Sequence, residues 1–311
     1  MYLNFLEFSL SSNISILLST YNGSKYLKNQ LDSLFAQTYK DFEILARDDG
    51  SSDDTVEILS SYNVKVLNTG ENLGAKMSFA ALLEYAVNNS ASEYFMFCDQ
   101  DDVWNTDKIE KTLAKMQEME KEHGDIPLLV HTDLEVVDEG LHTLGSSFMA
   151  YQNLPAQKST LNYLLMQNNI TGCTVMINKS LAIKSLPMPK ECMMHDGWVG
   201  LVASRFGKIG YVDEATIKYV QHSKNSLGAK KFDIGFVLKH IFKKYSISKN
   251  TMQAEAFLKQ FEDELDKQTK KMLQDFITLE QKTFWQKRVV LWQHRLLKYG
   301  FLRNAGLFLK I

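Results

Sequence analysis

The stretch EYFMFCDQDDVWNTDKIEK, residues 93–111, runs from a short apolar segment into three acids within four positions, Asp99, Asp101 and Asp102. The apolar segment is strand-length and has no helical spacing, so it reads as a buried strand. Acids packed this closely repel one another, and a buried carboxylate is costly unless positive charge meets it. Capping the helix that opens near residue 105 needs only one polar residue, and Asn105 or Thr106 can supply it. An EF-hand loop starting at Asp99 would put Trp104 where the sharp turn requires glycine. A divalent cation, Mg2+ or Mn2+, accounts better for the surplus, since these ions take a few carboxylates and share the rest of their shell with phosphate oxygens.

Upstream of this stretch the same strand-then-polar-loop grammar repeats. NISILLST (13–20) is a short apolar run, and Leu27, Leu31, Leu34 and Phe35 then fall at helical spacing over about 24–38. DFEILARDDGSSDDT supplies a second strand and an Asp/Ser-rich turn that can cap a helix over 53–62. VKVLN (64–68) is a third strand, followed by the loop TGENLG and a helix over 74–88. Four strand–helix alternations predict a parallel sheet with helices on both faces, and such sheets bind ligands beyond the carboxyl ends of their strands. STYNG, RDDGS, NTGENLG and CDQDD all fall on that edge. From 125 to 220 the pattern becomes mixed, with LLVHTDLEVVD, TGCTVMIN and KIGYVDEATIKYV as strands, and beyond 230 it becomes helical.

Composition narrows the class. With 311 residues, 45% hydrophobic and 23% charged, the chain suits a soluble α/β protein with a sizeable core. A net charge of −2 excludes a uniformly basic nucleic-acid binder. Cys98, Cys173 and Cys192 form neither a disulfide framework nor a zinc spacing, which fits a cytoplasmic setting. The first residues, MYLNFLEFSLSSN, lack the basic start of a signal peptide, and no apolar run is long enough to span a bilayer.

Taken together, ISILLSTYNGSKYLKNQLDSLFAQTYKDFEILARDDGSSDDT, NLGAKMSFAALL and FCDQDDVW resemble family 2 glycosyltransferases, inverting enzymes of the Rossmann-like GT-A fold. DQDDVW, HTDLEVVD, NNITGCTVMINKSL, MHDGWVGLVASRFG and YVQHSKNSLGA are most similar to bacterial rhamnosyltransferases of cell-wall and capsule polysaccharide assembly. The resemblance covers about residues 13–229. It implies a GT-A domain over 1–229; the C-terminal region over 230–311, helical and basic in its residues, lies outside it. It also implies a dTDP-rhamnose donor, another dTDP- or UDP-linked hexose being the alternative, and a polyprenyl-diphosphate-linked glycan acceptor.

Residue by residue, the resemblance implies that Ser19, Tyr21 and Asn22 line the base and ribose pocket, Tyr21 stacking on a pyrimidine. Asp49 accepts the base N3–H, and Asn72 and Lys76 approach the nucleotide. Asp99 faces ribose or metal, Asp101 is the principal metal ligand, His222 a second, and Lys224 offsets phosphate charge; Asp102 is dispensable to the pattern. An inverting transfer needs a base for the acceptor hydroxyl, and the resemblance puts it at Asp196. His195 stands where many relatives carry Glu, which leaves the role of that position open.

Two rivals come from other classes. FMFCDQDDV fits the haloacid-dehalogenase phosphatase pattern, with Asp99 as nucleophile, although that strand normally opens the chain. A non-catalytic sugar-nucleotide binder is the other. The C-terminal stretch adds one more expectation. From Lys282 to Ile311 there are seven Lys/Arg and no acid. A single helix through FWQKRVVLWQHRLLKYG would align Trp285, Val289, Trp292, Leu296 and Tyr299 on one face. Such a helix suits the anionic inner face of a plasma membrane, or packing on the core or in a homo-oligomer. GFVLKHIFKKY (235–245) repeats the pattern.

Overall fold

The computed structural model describes residues 13–67, 71–222 and 246–311. Lys224, the 230 boundary and the GFVLKHIFKKY segment lie outside the described residues.

The predicted alternation is present: β1 (Ile14–Thr20), α1 (Ser24–Phe35), β2 (Phe42–Asp48), α2 (Thr55–Ser60), β3 (Lys65–Leu67), α3 (Gly74–Asn89) and β4 (Tyr94–Cys98). β5 (Val103–Trp104) and α4 (Lys108–His123) follow, then β6 (Leu128–Val137), β7 (Thr143–Gly145), α5 (Phe148–Gln152) and α6 (Leu161–Met166). β8 (Met176–Asn178), α7 (Lys179–Ser185), α8 (His195–Phe206) and β9 (Lys208–Val220) complete the sheet, in the order β3-β2-β1-β4-β8-β6-β9-β5 with β7 beside β6. The β3-β2-β1-β4 half is parallel, as expected. β8 then enters antiparallel to both β4 and β6, so the whole sheet is mixed.

Period-two alternation divides the core. On β4, Phe95 and Phe97 enter one hydrophobic cluster, while Tyr94, Met96 and Cys98 enter the other. On β1, Leu17 joins Phe97's side, and Ile14, Ile16 and Leu18 face the side covered by α1 and α4. Leu27, Leu31 and Leu34 of α1 are buried as their spacing predicts. Phe35 instead lies partly exposed against Tyr62, ring centroids 5.6 Å apart.

Four α-helices follow residue 246: α9 (Ser248–Gln260), α10 (Lys267–Ile277), α11 (Phe284–Gln293) and α12 (Phe301–Lys310). Phe257, Phe276, Leu291, Leu296 and Leu307 are buried in the same cluster as Phe97 and Trp198. The Trp198 and Phe257 rings meet edge to face at 5.8 Å. The expected single helix through Tyr299 does not form. α11 stops at Gln293, Arg295 turns the chain at φ 51°, and Gly300 turns it again at φ 84°. Leu296 goes into the core and Tyr299 against it, which removes both from the exposed face. Among the described residues no helix is long and apolar enough to cross a membrane.

Candidate active site

The carboxyl ends of β1, β2 and β4 meet at one edge, and the loops beyond them are braced by their own polar side chains. After β1, Asn22 turns the chain at φ 45°, its Oδ1 accepting from Ser52 N at 2.8 Å. Tyr21 is 50% exposed, so its ring is open to a ligand. Its backbone is clamped by Gln100, whose Oε1 accepts from Tyr21 N at 2.8 Å and whose Nε2 donates to Tyr21 O at 3.0 Å. A Cβ on Gly23 would collide with that amide, so glycine is what lets the clamp close. Ser19 hydrogen-bonds to Ser78 at 2.7 Å.

Asp49 is deeply buried. Its carboxylate pairs with the buried Arg47 and accepts from the Leu73 and Gly74 N–H groups at 2.8 and 2.7 Å. Asn72 donates to Asp49 O at 2.8 Å and accepts from Gly74 N. As placed, both brace the loop before α3. Lys76 donates to the carbonyls of Lys190 and Cys192, tying α3 to the segment that leads into α8.

The acids after β4 divide by depth. Asp101 receives His222 Nε2 at 2.8 Å, and the His222 ring stacks on Tyr26 at 4.4 Å, with planes 8° apart. Asp102 is buried; it accepts from Val220 N at 3.3 Å and so fixes the end of β9 next to His222. Single ligand atoms of Asp99, Asp102 and Cys173 lie within 4.8 Å of one another. Burial, then the charges of Asp101 and Asp196, push Asp99 up to about 7. Asp101 is also raised by burial, against the pull of His222, and Asp102 is raised strongly. Such convergence of buried acid, met at the front among the described residues by one imidazole, is the environment a divalent cation would relieve. The oxygen and nitrogen donors of Asp99, Asp101 and His222 fit Mg2+ or Mn2+. The Cys173 thiol is pushed up by burial and by the acids, and a soft sulfur donor is not what Mg2+ or Mn2+ prefer.

Lys108 reads in the sequence as a helix-surface lysine. It is fully buried, its ammonium 4.5 Å from the Trp104 ring centroid, and desolvation lowers it to about 8. It provides the positive charge behind Asp102 and Cys173.

Asp196 sits in the first turn of α8, where the N-terminal dipole favours an anion. Its carboxylate accepts from Gly197 N at 2.5 Å and Gly172 N at 3.1 Å. Burial still raises it to about 6. Its charge is felt at Asp99, so the two acids lie near one another. His195 is wedged between Phe79 and Phe97 at centroid distances of 4.0 and 4.6 Å, with its ring edge against Gly172. Neither ring nitrogen has a hydrogen-bond partner among the described residues, and burial lowers the imidazole to about 3, so it is a neutral core residue.

The carboxyl edge therefore carries Ser19, Tyr21, Asn22, Asp99 and Asp101, with His222 bonded to Asp101 and Asp196 near Asp99, while Asp49, Asn72 and Lys76 serve as braces. Sequence reasoning misses Tyr26, Gln100 and Lys108. Their partners lie far away in sequence or behind the site, and only the YNGSKY and DQDD runs hint at them.

An uncharacterized glycosyltransferase of Rickettsia typhi is 28% identical to this chain over 217 residues, 67% of this chain and 64% of that one. The chain thus spans less than two thirds of that relative's length. TuaG of Bacillus subtilis, assigned to teichuronic acid biosynthesis, is 28% identical over 70% of this chain and 82% of its own. Among solved structures, S. aureus TarS 1–349 in complex with UDP-GlcNAc superposes with a TM-score of 0.57 at 17% identity, covering 91% of this chain and 80% of that one. The fold is GT-A, with β4 as the fourth strand and three strand–helix units before it, which sets aside the phosphatase reading of Asp99. The family model for glycosyl transferase family 2 matches residues 15–174, a span running from β1 through the DQDD acids to Gly172 beside Asp196, and the chain belongs to that family.

Proposed function

We propose that the chain is a metal-dependent, inverting glycosyltransferase that moves L-rhamnose from dTDP-β-L-rhamnose to a lipid-linked glycan in surface polysaccharide synthesis. The observation that carries the transferase reading is an edge bearing Asp99, Asp101 and His222 with a separate buried acid, Asp196, facing it. Tyr21 offers the open ring for a base. Asp99, Asp101 and His222 would hold the cation, whose charge, when bound, offsets that developing on the diphosphate. Asp196 takes the proton of the acceptor hydroxyl as its oxygen bonds to the anomeric carbon from the face opposite the diphosphate. The bond from that carbon to the phosphate oxygen breaks and its electrons leave with the nucleoside diphosphate. A carboxyl held near 6 is ionised at pH 7 yet basic enough to act.

The rhamnose assignment rests on motif resemblance, and polysaccharide synthesis on the relatives. A second reading, a UDP-linked hexose donor, is favoured by the neighbour crystallised with UDP-GlcNAc. A thermal-shift panel of dTDP, UDP and their sugar conjugates with Mn2+, Mg2+ or chelator tests both. Metal-dependent stabilisation by dTDP species supports rhamnose; a response confined to UDP species moves the donor, and silence removes the nucleotide reading. Asp101→Ala is expected to abolish the metal-dependent part of the shift. Equal shifts with and without chelator in wild type would take the metal out of the proposal.

A further inference from the structure

α11 and α12 carry large apolar side chains outward. Trp285 is 76% exposed and Trp292 74%, with Val289 between them at the same helical face, while Phe301 on α12 is 85% exposed and Leu309 76%. The two helices are one unit. Arg288 of α11 donates to the Phe308 and Ile311 carbonyls at the end of α12, and its guanidinium lies 3.5 Å from the Phe284 ring centroid. Large apolar side chains exposed together on one helical face, as Trp285, Val289 and Trp292 are, mark an interaction site.

Charge decides the occupant. Residues 282–311 contain seven Lys/Arg and no acid. Lys298 is largely buried, Arg288 and Arg303 are bonded to backbone carbonyls and Lys282 lies 3.8 Å from Asp275, so the half-buried Lys287 and the exposed Arg295 carry the outward charge. The rest of the chain holds the other 28 of the 35 Lys/Arg against all 37 Asp/Glu, nine net negative charges. A second copy would bring this basic patch against itself. An anionic bilayer would attract the patch and repel the remaining body, which orients the molecule foot first. Tryptophan beside lysine and arginine on a short helix suits the headgroup boundary, and ten-residue helices are far too short to cross.

The same unit is tied to the base side of the site. Asn162 of α6 donates to Arg295 O at 2.9 Å, and Tyr299 N donates to Gln167 Oε1 at 3.1 Å. The segment that begins at Asn162 ends at Gly172, whose N–H holds Asp196. From α9, Gln253 accepts from Met193 N at 2.8 Å, three residues before Asp196.

We propose that α11 and α12 form a foot that seats on anionic lipid and thereby sets the Asp196 side of the cavity toward an acceptor anchored in that lipid. The second half rests on the lipid-linked acceptor proposed above; the first does not. The test is sedimentation of the full chain with phosphatidylcholine vesicles, with and without phosphatidylglycerol, for wild type, W285S/W292S and K287E/R295E. Wild type is expected to bind the phosphatidylglycerol vesicles, and each double variant to bind them roughly tenfold more weakly. A melting transition equal to wild type shows that each variant is folded, because these side chains lie outside the core. Variants that bind like wild type, or a wild type that ignores both vesicle types, overturn the proposal. So does a dimer in solution that W285S/W292S dissociates, since the face would then belong to a second copy. No substrate enters the sedimentation assay, so its failure is separate from failure of the nucleotide panel.

Discussion

Asp196 is asked to be buried enough to be basic and anionic enough to act. Burial raises it from 3.8 to about 6, so the native state holds a proton that the unfolded chain releases between those values. Stability from this group is therefore present at low pH and lost as pH rises through about 6, a cost of up to about 3 kcal/mol. Asp196→Asn has no such titration. In the metal-free protein its stability relative to wild type should climb by up to about 3 kcal/mol between pH 4 and 7, read from urea melts across pH. A flat difference would mean that the carboxyl is not raised. Turnover should rise with pH to a midpoint at or below about 6, since a bound cation pulls the acid down, and the Asn variant should lose transfer by roughly a hundredfold or more while binding donor normally. His195 works in the opposite sense. Its imidazole is lowered to about 3, so the unfolded chain takes up a proton first, and stability is lost as pH falls below about 6.5. His195→Leu should therefore narrow its deficit against wild type, or reverse it, on acidification from pH 7 to 4, as measured by the same melts. At this scale the sequence revealed the acids, because three carboxylates crowded after a buried strand repel one another unless a cation joins them. It could not reveal the clamp of Gln100 on Tyr21 or the stack of Tyr26 on His222, which join residues 79 and 196 positions apart.

Elements were legible where periodicity was clean. β1 through β4 and their helices fall within a few residues of expectation, since alternating burial and helical spacing are local signals. The C-terminal helix was misread because a heptad-like stripe ran across a break. Leu296 and Tyr299 continue the stripe of Trp285 and Trp292 by spacing, yet Arg295 in the left-handed region reverses the chain and sends them inward. Leu296→Ala should thus behave as a core truncation, costing about 2–5 kcal/mol in a denaturant melt, where a surface helix position would cost under about 0.5. The junction of α8 and β9 is equally exacting. A Cβ on Gly207 would overlap the Pro127 carbonyl, a backbone atom that cannot swing away. Gly207→Ala should destabilise by about 2 kcal/mol or more and should also weaken metal-dependent donor binding, because β9 leads to His222. Donor binding unaltered at a lowered melting temperature would uncouple the junction from the site.

For the whole molecule, the helical C-terminal region that the sequence marks is present, and its helices pack on the α/β body. The helices after 246 bury Phe257, Phe276, Leu291 and Leu307 in the cluster that holds Phe97 of β4 and Trp198 of α8. Contacts between residues so distant leave no local trace in composition. A chain ending at residue 245 should expose the Trp198 face and fail to give a cooperative melt. A sharp transition near that of the full chain would show that the sheet keeps its fold without those helices.

Of the four tryptophans, Trp104 and Trp198 are sealed in the core, while Trp285 and Trp292 look outward from the foot. The protein thus carries its own optical reporter, two shielded emitters as an internal standard and two accessible ones at the surface we propose for lipid. Aqueous quencher would extinguish only the outer pair, and lipid would shift their emission to the blue and shelter them, so seating could be followed in real time without a label.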